Sequence, residues 1–160
     1  MANAATIGGL GVSSGGHLIL LSAMRPFDPR YTALPFAGAA GVEATLAYAI
    51  SLWGVLDPYG RYLMAQERGN KELMANHERY FLSVETMQES NVIRILEQKE
   101  KVELPSALLI QGTADKGVPQ GGWSRRSMSC IAPREGTSSW RCSAICPTAW
   151  RASRRQRQRA

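Results

Sequence analysis

The chain opens on a short apolar, glycine-rich run, Ala5 to Gly11, and resumes from Gly16 to Met24 as a longer, mostly apolar stretch without proline. A short run followed at once by a longer one predicts a buried strand that turns directly into a helix. From Arg25 to Gly41, Pro26, Pro29, Pro35, Gly38 and Gly41 break any periodicity and predict a long loop. Thr45 to Leu56 is apolar almost throughout and stops at Asp57-Pro58. A run of that kind predicts a strand buried on both faces of a parallel sheet. The pattern then changes: Tyr59 to Glu103 is rich in Glu, Lys, Arg, Met and Leu, with Gly60 and Gly69 as its breakers. It predicts short helices over about 60–68, 71–80, 84–89 and 91–101. Leu104-Pro105 announces a further strand, Ala107 to Gln111, closed by the turn-rich segment Gly112 to Pro119. Strand, helix, strand, helices and strand in that order predict the α/β class: a partial parallel sheet with flanking helices and a helical insert over about 59–103.

Composition divides the chain in two. At 160 residues and 44% hydrophobic content it has the size and apolar share of one packed domain. The net charge of +6 is not spread evenly. Residues 1–119 hold 10 Lys and Arg against 12 Asp and Glu, whereas residues 120–160 hold 9 Arg, no Lys and the single acid Glu135. Cys130, Cys142 and Cys146, with Trp123, Trp140 and Trp150, also lie in that last part. Residues 1–119 therefore read as the folded domain and 120–160 as an irregular, disordered tail. Three cysteines are an odd number, form no Cys-x-x-Cys pair and have no histidine near them, so neither a disulfide framework nor a zinc site is expected. No apolar stretch reaches the roughly 18 residues of a membrane span, and the N-terminus lacks the basic start and apolar run of a signal peptide. A soluble, cytoplasmic protein without membrane partners is the expectation.

The turn between the first strand and its helix carries the candidate chemistry: Gly11-Val12-Ser13-Ser14-Gly15. Acyl transfer needs a serine oxygen exposed at a sharp strand-to-helix turn, with small residues two before and two after it so that the backbone can fold tightly. Ser13 meets that spacing; Ser14 does not, because Val12 would stand where the leading glycine belongs. The helix that follows directs its positive end toward the reacting carbonyl, and the Ser14 backbone N–H would serve as an oxyanion donor. A Gly/Ser-rich segment can also be a plain turn. Some hundred residues later, a strand ends in Gly112-Thr113-Ala114-Asp115.

Together, Gly11 to His17 with the apolar helix behind it, and Leu108 to Pro119, resemble the nucleophile elbow and acid turn of the α/β-hydrolase serine esterases and lipases. The branch is the one related to hormone-sensitive lipase, acetylxylan-type esterases and prolyl-oligopeptidase-like hydrolases. The resemblance spans Thr6 to Pro119. It implies a carboxylic-ester hydrolase in which Ser13 attacks the ester carbonyl, a histidine takes its proton, Asp115 orients that histidine and the Ser14 N–H steadies the oxyanion. It implies a small-molecule ester as substrate, no metal or cofactor and no nucleic acid. The insert takes the place of the family's substrate-covering cap, which makes Trp53, Tyr59, Tyr62 and Tyr80 candidate pocket residues, against the simpler reading that they pack a core.

The chain departs from the family where a base is needed. Its two histidines, His17 and His77, both precede Asp115. His17, on the elbow helix, is expected to point toward helix packing or the surface in a structural role, and His77, between Asn76 and Glu78, to lie exposed on the surface. The strands and His-Gly-Gly loop that precede the elbow in the family have no counterpart, so the chain reads as N-terminally truncated, with the first strand left as an exposed edge. The tail suggests a frameshift after about Pro119. Shifting the frame by one nucleotide permits Met-Pro-His-Gly-Val across Ile145 to Trp150, Leu-Tyr-Arg-Ala-Ala-Gly-Gly-Asp across Ser129 to Thr137 and Ile-Glu-Leu-Ala-Val across Thr137 to Cys142. These strings resemble the family's base-histidine segment, last helix and last strand. An enzyme of impaired activity is the expectation; the alternatives are a non-catalytic remnant and a nucleic-acid-binding protein using its Arg-rich tail.

Overall fold

The computed structural model describes residues 6–31, 45–112 and 115–118, together with the backbone of 140–145. The first apolar run forms strand β1 (Gly8–Val12) and passes through Ser13 alone into helix α1 (Ser14–Met24). Strand β2 (Tyr48–Leu52) follows, then helices α2 (Pro58–Glu67), α3 (Lys71–Phe81), α4 (Val84–Glu89) and α5 (Val92–Gln98), strand β3 (Ser106–Gly112) and strand β4 (Trp140–Ile145). The sheet order is β1-β2-β3-β4. The first three strands are parallel, in a register that aligns Val12 with Leu52 and Leu52 with Ile110. Their C-terminal ends therefore share one edge of the sheet, where Ser13 leaves β1 and Asp115 follows β3.

Helix α1 crosses back over β1 and β2, and the pleat decides which side chains it meets. Gly9, Ala49 and Ala107 form one inward row and Gly11, Ser51 and Leu109 the next. Small residues on this face let α1 sit close, with Leu20, Leu21, Ala23 and Met24 buried against Ala49, Ala107 and Leu109. Val92, Ile93 and Ile95 of α5 complete the same cluster, so the last helix of the insert belongs to the core layer. Leu20, Ile95 and Leu109 are fully buried, each contributing about 1.5–3 kcal/mol of transfer free energy.

The insert helices start where their sequence can cap them. Asp57 accepts the Gly60 N–H, with Pro58 at the first turn of α2; Asn70, Ser83 and Asn91 accept the N–H groups of Leu73, Thr86 and Arg94 at the starts of α3, α4 and α5. Asn91 also donates its side-chain amide to Asp57 at 2.6 Å, which ties the start of α5 to the start of α2. At the far end of α1, Arg25 pairs with Glu89 and, at 2.8 Å, with Glu100, clamping α1 to the segments around α4 and α5.

Three expectations need correction. The apolar run Thr45 to Leu56 yields a strand of only 5 residues, and it is not buried on both faces. Ala49 and Ser51 face α1, but the opposite face is open: Leu10, Val12 and Tyr48 are 61%, 43% and 44% exposed. The run looked doubly buried because Val55 and Leu56, beyond the strand, are buried too, and burial without a change of residue type hides a strand end. The tail is not irregular throughout, since β4 forms within it; and because β4 runs antiparallel to β3, the sheet is mixed. The readings placed on 120–139 and 146–160, including the shifted frame and the disorder, otherwise lie outside the described residues. Among the described residues, β1 lies at one edge of this sheet and β4 at the other.

Candidate functional site

At the C-terminal edge of the sheet, the chain reverses at Ser13 with φ 54° and ψ −121°, a backbone state that a side-chain-bearing residue rarely adopts. The reversal is held from the neighbouring strand: Ser13 N–H donates to Leu52 O at 2.9 Å, and Ser13 O accepts from Val55 N–H and His17 N–H, both at 3.3 Å. Although Ser13 occupies the N-cap of α1, its side chain makes no capping bond, so the hydroxyl is not used to close the helix. A Cβ on Gly11 would lie 2.1 Å from Gly15 O, and one on Gly16 would lie 2.5 Å from Ser51 Oγ and 3.0 Å from Gly54 Cα. Gly15 is different: a Cβ there meets nothing within 4 Å. The spacing argument from sequence is thus supported at Gly11, whereas the second steric demand falls on Gly16 and not on Gly15.

Strain at Ser13 has a measurable signature. Such a backbone state costs about 1–3 kcal/mol for a residue with a side chain, while glycine adopts it freely and adds about 0.5–1 kcal/mol of unfolded-state entropy to be overcome. Ser13→Gly is expected to be more stable than Ser13→Ala by about 1–2 kcal/mol in urea denaturation. Equal stabilities for the two variants would show that the turn is not strained.

Asp115 stands two strands away, beyond the end of β3. Its Oδ1 accepts the backbone N–H groups of Gly117 at 2.7 Å and Val118 at 3.0 Å, and its Oδ2 accepts the Gln111 side-chain amide at 2.9 Å. Partial burial opposes ionisation, but the Val118, Gly117 and Gln111 hydrogen bonds and the charge of Arg61 outweigh it and hold the carboxyl below its ordinary range. The carboxylate is therefore ionised and fixed in place. Gln111, 1% exposed, is the residue that the sequence reading missed here. A polar side chain closing the inward row of Ala107 and Leu109 was the available signal.

Both histidines are buried. Of packing and surface, His17 packs: its Nε2–H donates to Ser90 O at 2.7 Å and its ring meets Phe81 edge-on with centroids 5.9 Å apart. His77 corrects the surface assignment, being only 5% exposed. Its Nδ1–H donates to Leu73 O at 2.9 Å, while Nε2 is buried without a partner. It was misplaced because its sequence neighbours are exposed, and only the return of α3 against α2 and Phe81 encloses it. Burial lowers the pKa of both rings, against the raising effect of the Ser90 and Leu73 hydrogen bonds, so both are neutral near pH 7.

Beside the turn at Ser13 and Ser14 lies a cavity of about 300 Å³. Ser14 and His17 of α1 form one wall with Val55, and Arg61 of α2 another. Leu73, Asn76, His77, Tyr80 and Phe81 of α3 also line it. Of the four aromatic residues proposed from sequence, Tyr80 lines this space; Trp53, Tyr59 and Tyr62 do not. Tyr62 instead donates its hydroxyl to Glu78 at 2.7 Å. The Ser14 backbone N–H, first in α1, has no acceptor within the helix. Among the described residues there is no cluster of three or more His, Cys, Asp or Glu suited to a metal, and no helix long and apolar enough to cross a membrane. Compared with family models, with curated proteins and with solved structures, the chain matches none.

Proposed function

We propose that this chain carries the acyl-transfer half of an α/β-hydrolase-type serine esterase, with Ser13 as nucleophile, Asp115 as acid and the Ser14 N–H as oxyanion donor. The observation that carries the reading is the strained reversal at Ser13 between β1 and α1, locked by the close approach of Gly11 to Gly15 O. Backbone strain of this kind concentrates at functional sites, and a plain turn between strand and helix does not need it. The ionised, oriented Asp115 on the same sheet edge supports the second role. His17 and His77 are both engaged in packing, and no histidine follows Asp115 in the chain. The chemistry this leaves is a nucleophile, one oxyanion donor and an acid without a base between them. A positioned base is worth about 10² to 10⁴ in rate, so the reading is of an esterase scaffold whose own turnover is slow.

External base tests it. Fluorophosphonate labelling of the folded chain at Ser13 is expected to be slow, to accelerate at least about tenfold when imidazole is supplied in solution, and to vanish in Ser13→Ala. Absence of labelling with imidazole present, or labelling that survives Ser13→Ala, would overturn the assignment.

A further inference from the structure

The cavity beside Ser14 has an uneven electrostatic lining. Among the described residues, no Asp or Glu lines it, both of its histidines are held neutral by burial, and Arg61 is its single cation. Arg61 is held in place by its own Nε–H, which donates to Gly117 O at 2.6 Å. Asp115 attracts it, but no ion pair joins the two, because the Asp115 oxygens accept from Gly117, Val118 and Gln111. A half-buried guanidinium without a contacting carboxylate is an unmatched charge, and its flat fork of donors suits a carboxylate best. Around it, Val55, Leu73 and Phe81 offer apolar surface. An enclosed apolar cavity of about 150 Å³ accommodates a benzene ring. A space of about 300 Å³ therefore takes a ring with a short side chain.

We propose that this cavity is a binding site for a small carboxylic acid with an apolar body, its carboxylate held by Arg61 and its ring or chain against Val55, Leu73 and Phe81. Such a ligand binds whether or not Ser13 reacts. If Ser13 does react, the same cation favours ester substrates that carry a free carboxylate on the part lodged in the cavity.

Calorimetric titration of the full chain with phenylpropionate, its neutral amide and propionate tests the site. Phenylpropionate is expected to bind at least about tenfold more tightly than the amide, since the amide loses a charge-assisted pair. Propionate, without the apolar body, is expected to show no measurable binding. Arg61→Gln should remove the preference for acid over amide, and Ser13→Ala should leave all affinities unchanged. Equal affinity of acid and amide, propionate binding as well as phenylpropionate, or no binding of phenylpropionate to the folded wild-type chain would overturn the proposal. The wild-type comparison decides even where Arg61→Gln does not fold. Because Ser13→Ala retains the site, failure of labelling at Ser13 and failure of ligand binding are separate results.

Discussion

Gly11→Val is expected to abolish cooperative folding, or to reduce stability by about 3 kcal/mol or more. The reason lies in what the new atoms would strike. A Cβ on Gly11 lies 2.1 Å from Gly15 O and 2.7 Å from Gly16 N, all of it backbone of the first turn of α1, so no rotamer change relieves the clash. Relief requires α1 to withdraw from β1, and α1 carries Leu20, Leu21, Ala23 and Met24 of the core cluster. Gly15→Ala is the control, because its Cβ would meet nothing within 4 Å. At the second position of α1 that change removes glycine's backbone entropy and is neutral to mildly stabilising, by up to about 1 kcal/mol. Circular dichroism during urea titration of the two variants distinguishes them. A Gly11→Val protein that unfolds at the wild-type midpoint would mean that β1 and α1 do not meet as described.

Acidification is expected to destabilise the chain from about pH 6.5 downward, well above the range in which carboxylates titrate. In the unfolded chain His17 and His77 take up protons near the ordinary value of 6.5, whereas burial keeps both neutral in the folded chain to lower pH. Between the unfolded and the lowered folded values, the unfolded state binds more protons, so stability falls as pH falls. Each histidine contributes a slope of up to about 1.4 kcal/mol per pH unit, and two together up to about 2.7. Asp115 acts in the same direction in a separate window, below its ordinary 3.8, because its folded value is lowered. Chemical denaturation at intervals between about pH 7.5 and pH 5 measures the slope, which should show stability falling with pH and should become shallower in His77→Gln. Stability that stays level across that interval would contradict burial of the imidazoles.

These effects also separate two kinds of information in the chain. Local chemistry was legible one segment at a time. The short helices of the insert were legible from a run of helix-forming residues between breakers, and the side chains of Asp57, Asn70, Ser83 and Asn91 cap their starts by acting on N–H groups two or three residues away. The turn at Ser13 was legible for the same reason: strand, reversal and helix lie within one continuous stretch, and the glycine that permits it is two residues away. Asp115 could be found because its turn satisfies its carboxylate locally, through Gly117 and Val118.

What the sequence could not supply was anything decided by elements distant along the chain. The assignment of the tight contact to Gly16 instead of Gly15 depends on Ser51 and Gly54, which β2 brings beneath α1. The burial of His77 depends on α2 and Phe81 closing around a residue whose immediate neighbours are exposed, and the open face of Leu10, Val12 and Tyr48 on which side of the sheet α1 and α5 occupy. Arg61 reads in sequence as one of many surface cations; only the tertiary structure sets it in a cavity wall, fixed by Gly117, with no acid in that wall among the described residues. The sequence by itself determined the α/β order of elements, the strand-to-helix turn at Ser13 and the turn that holds Asp115, because covalent neighbours enforce those. Tertiary packing decided which glycines are compulsory, which histidines are neutral and where a ligand can be held, because contact, burial and desolvation belong to groups that only folding brings together.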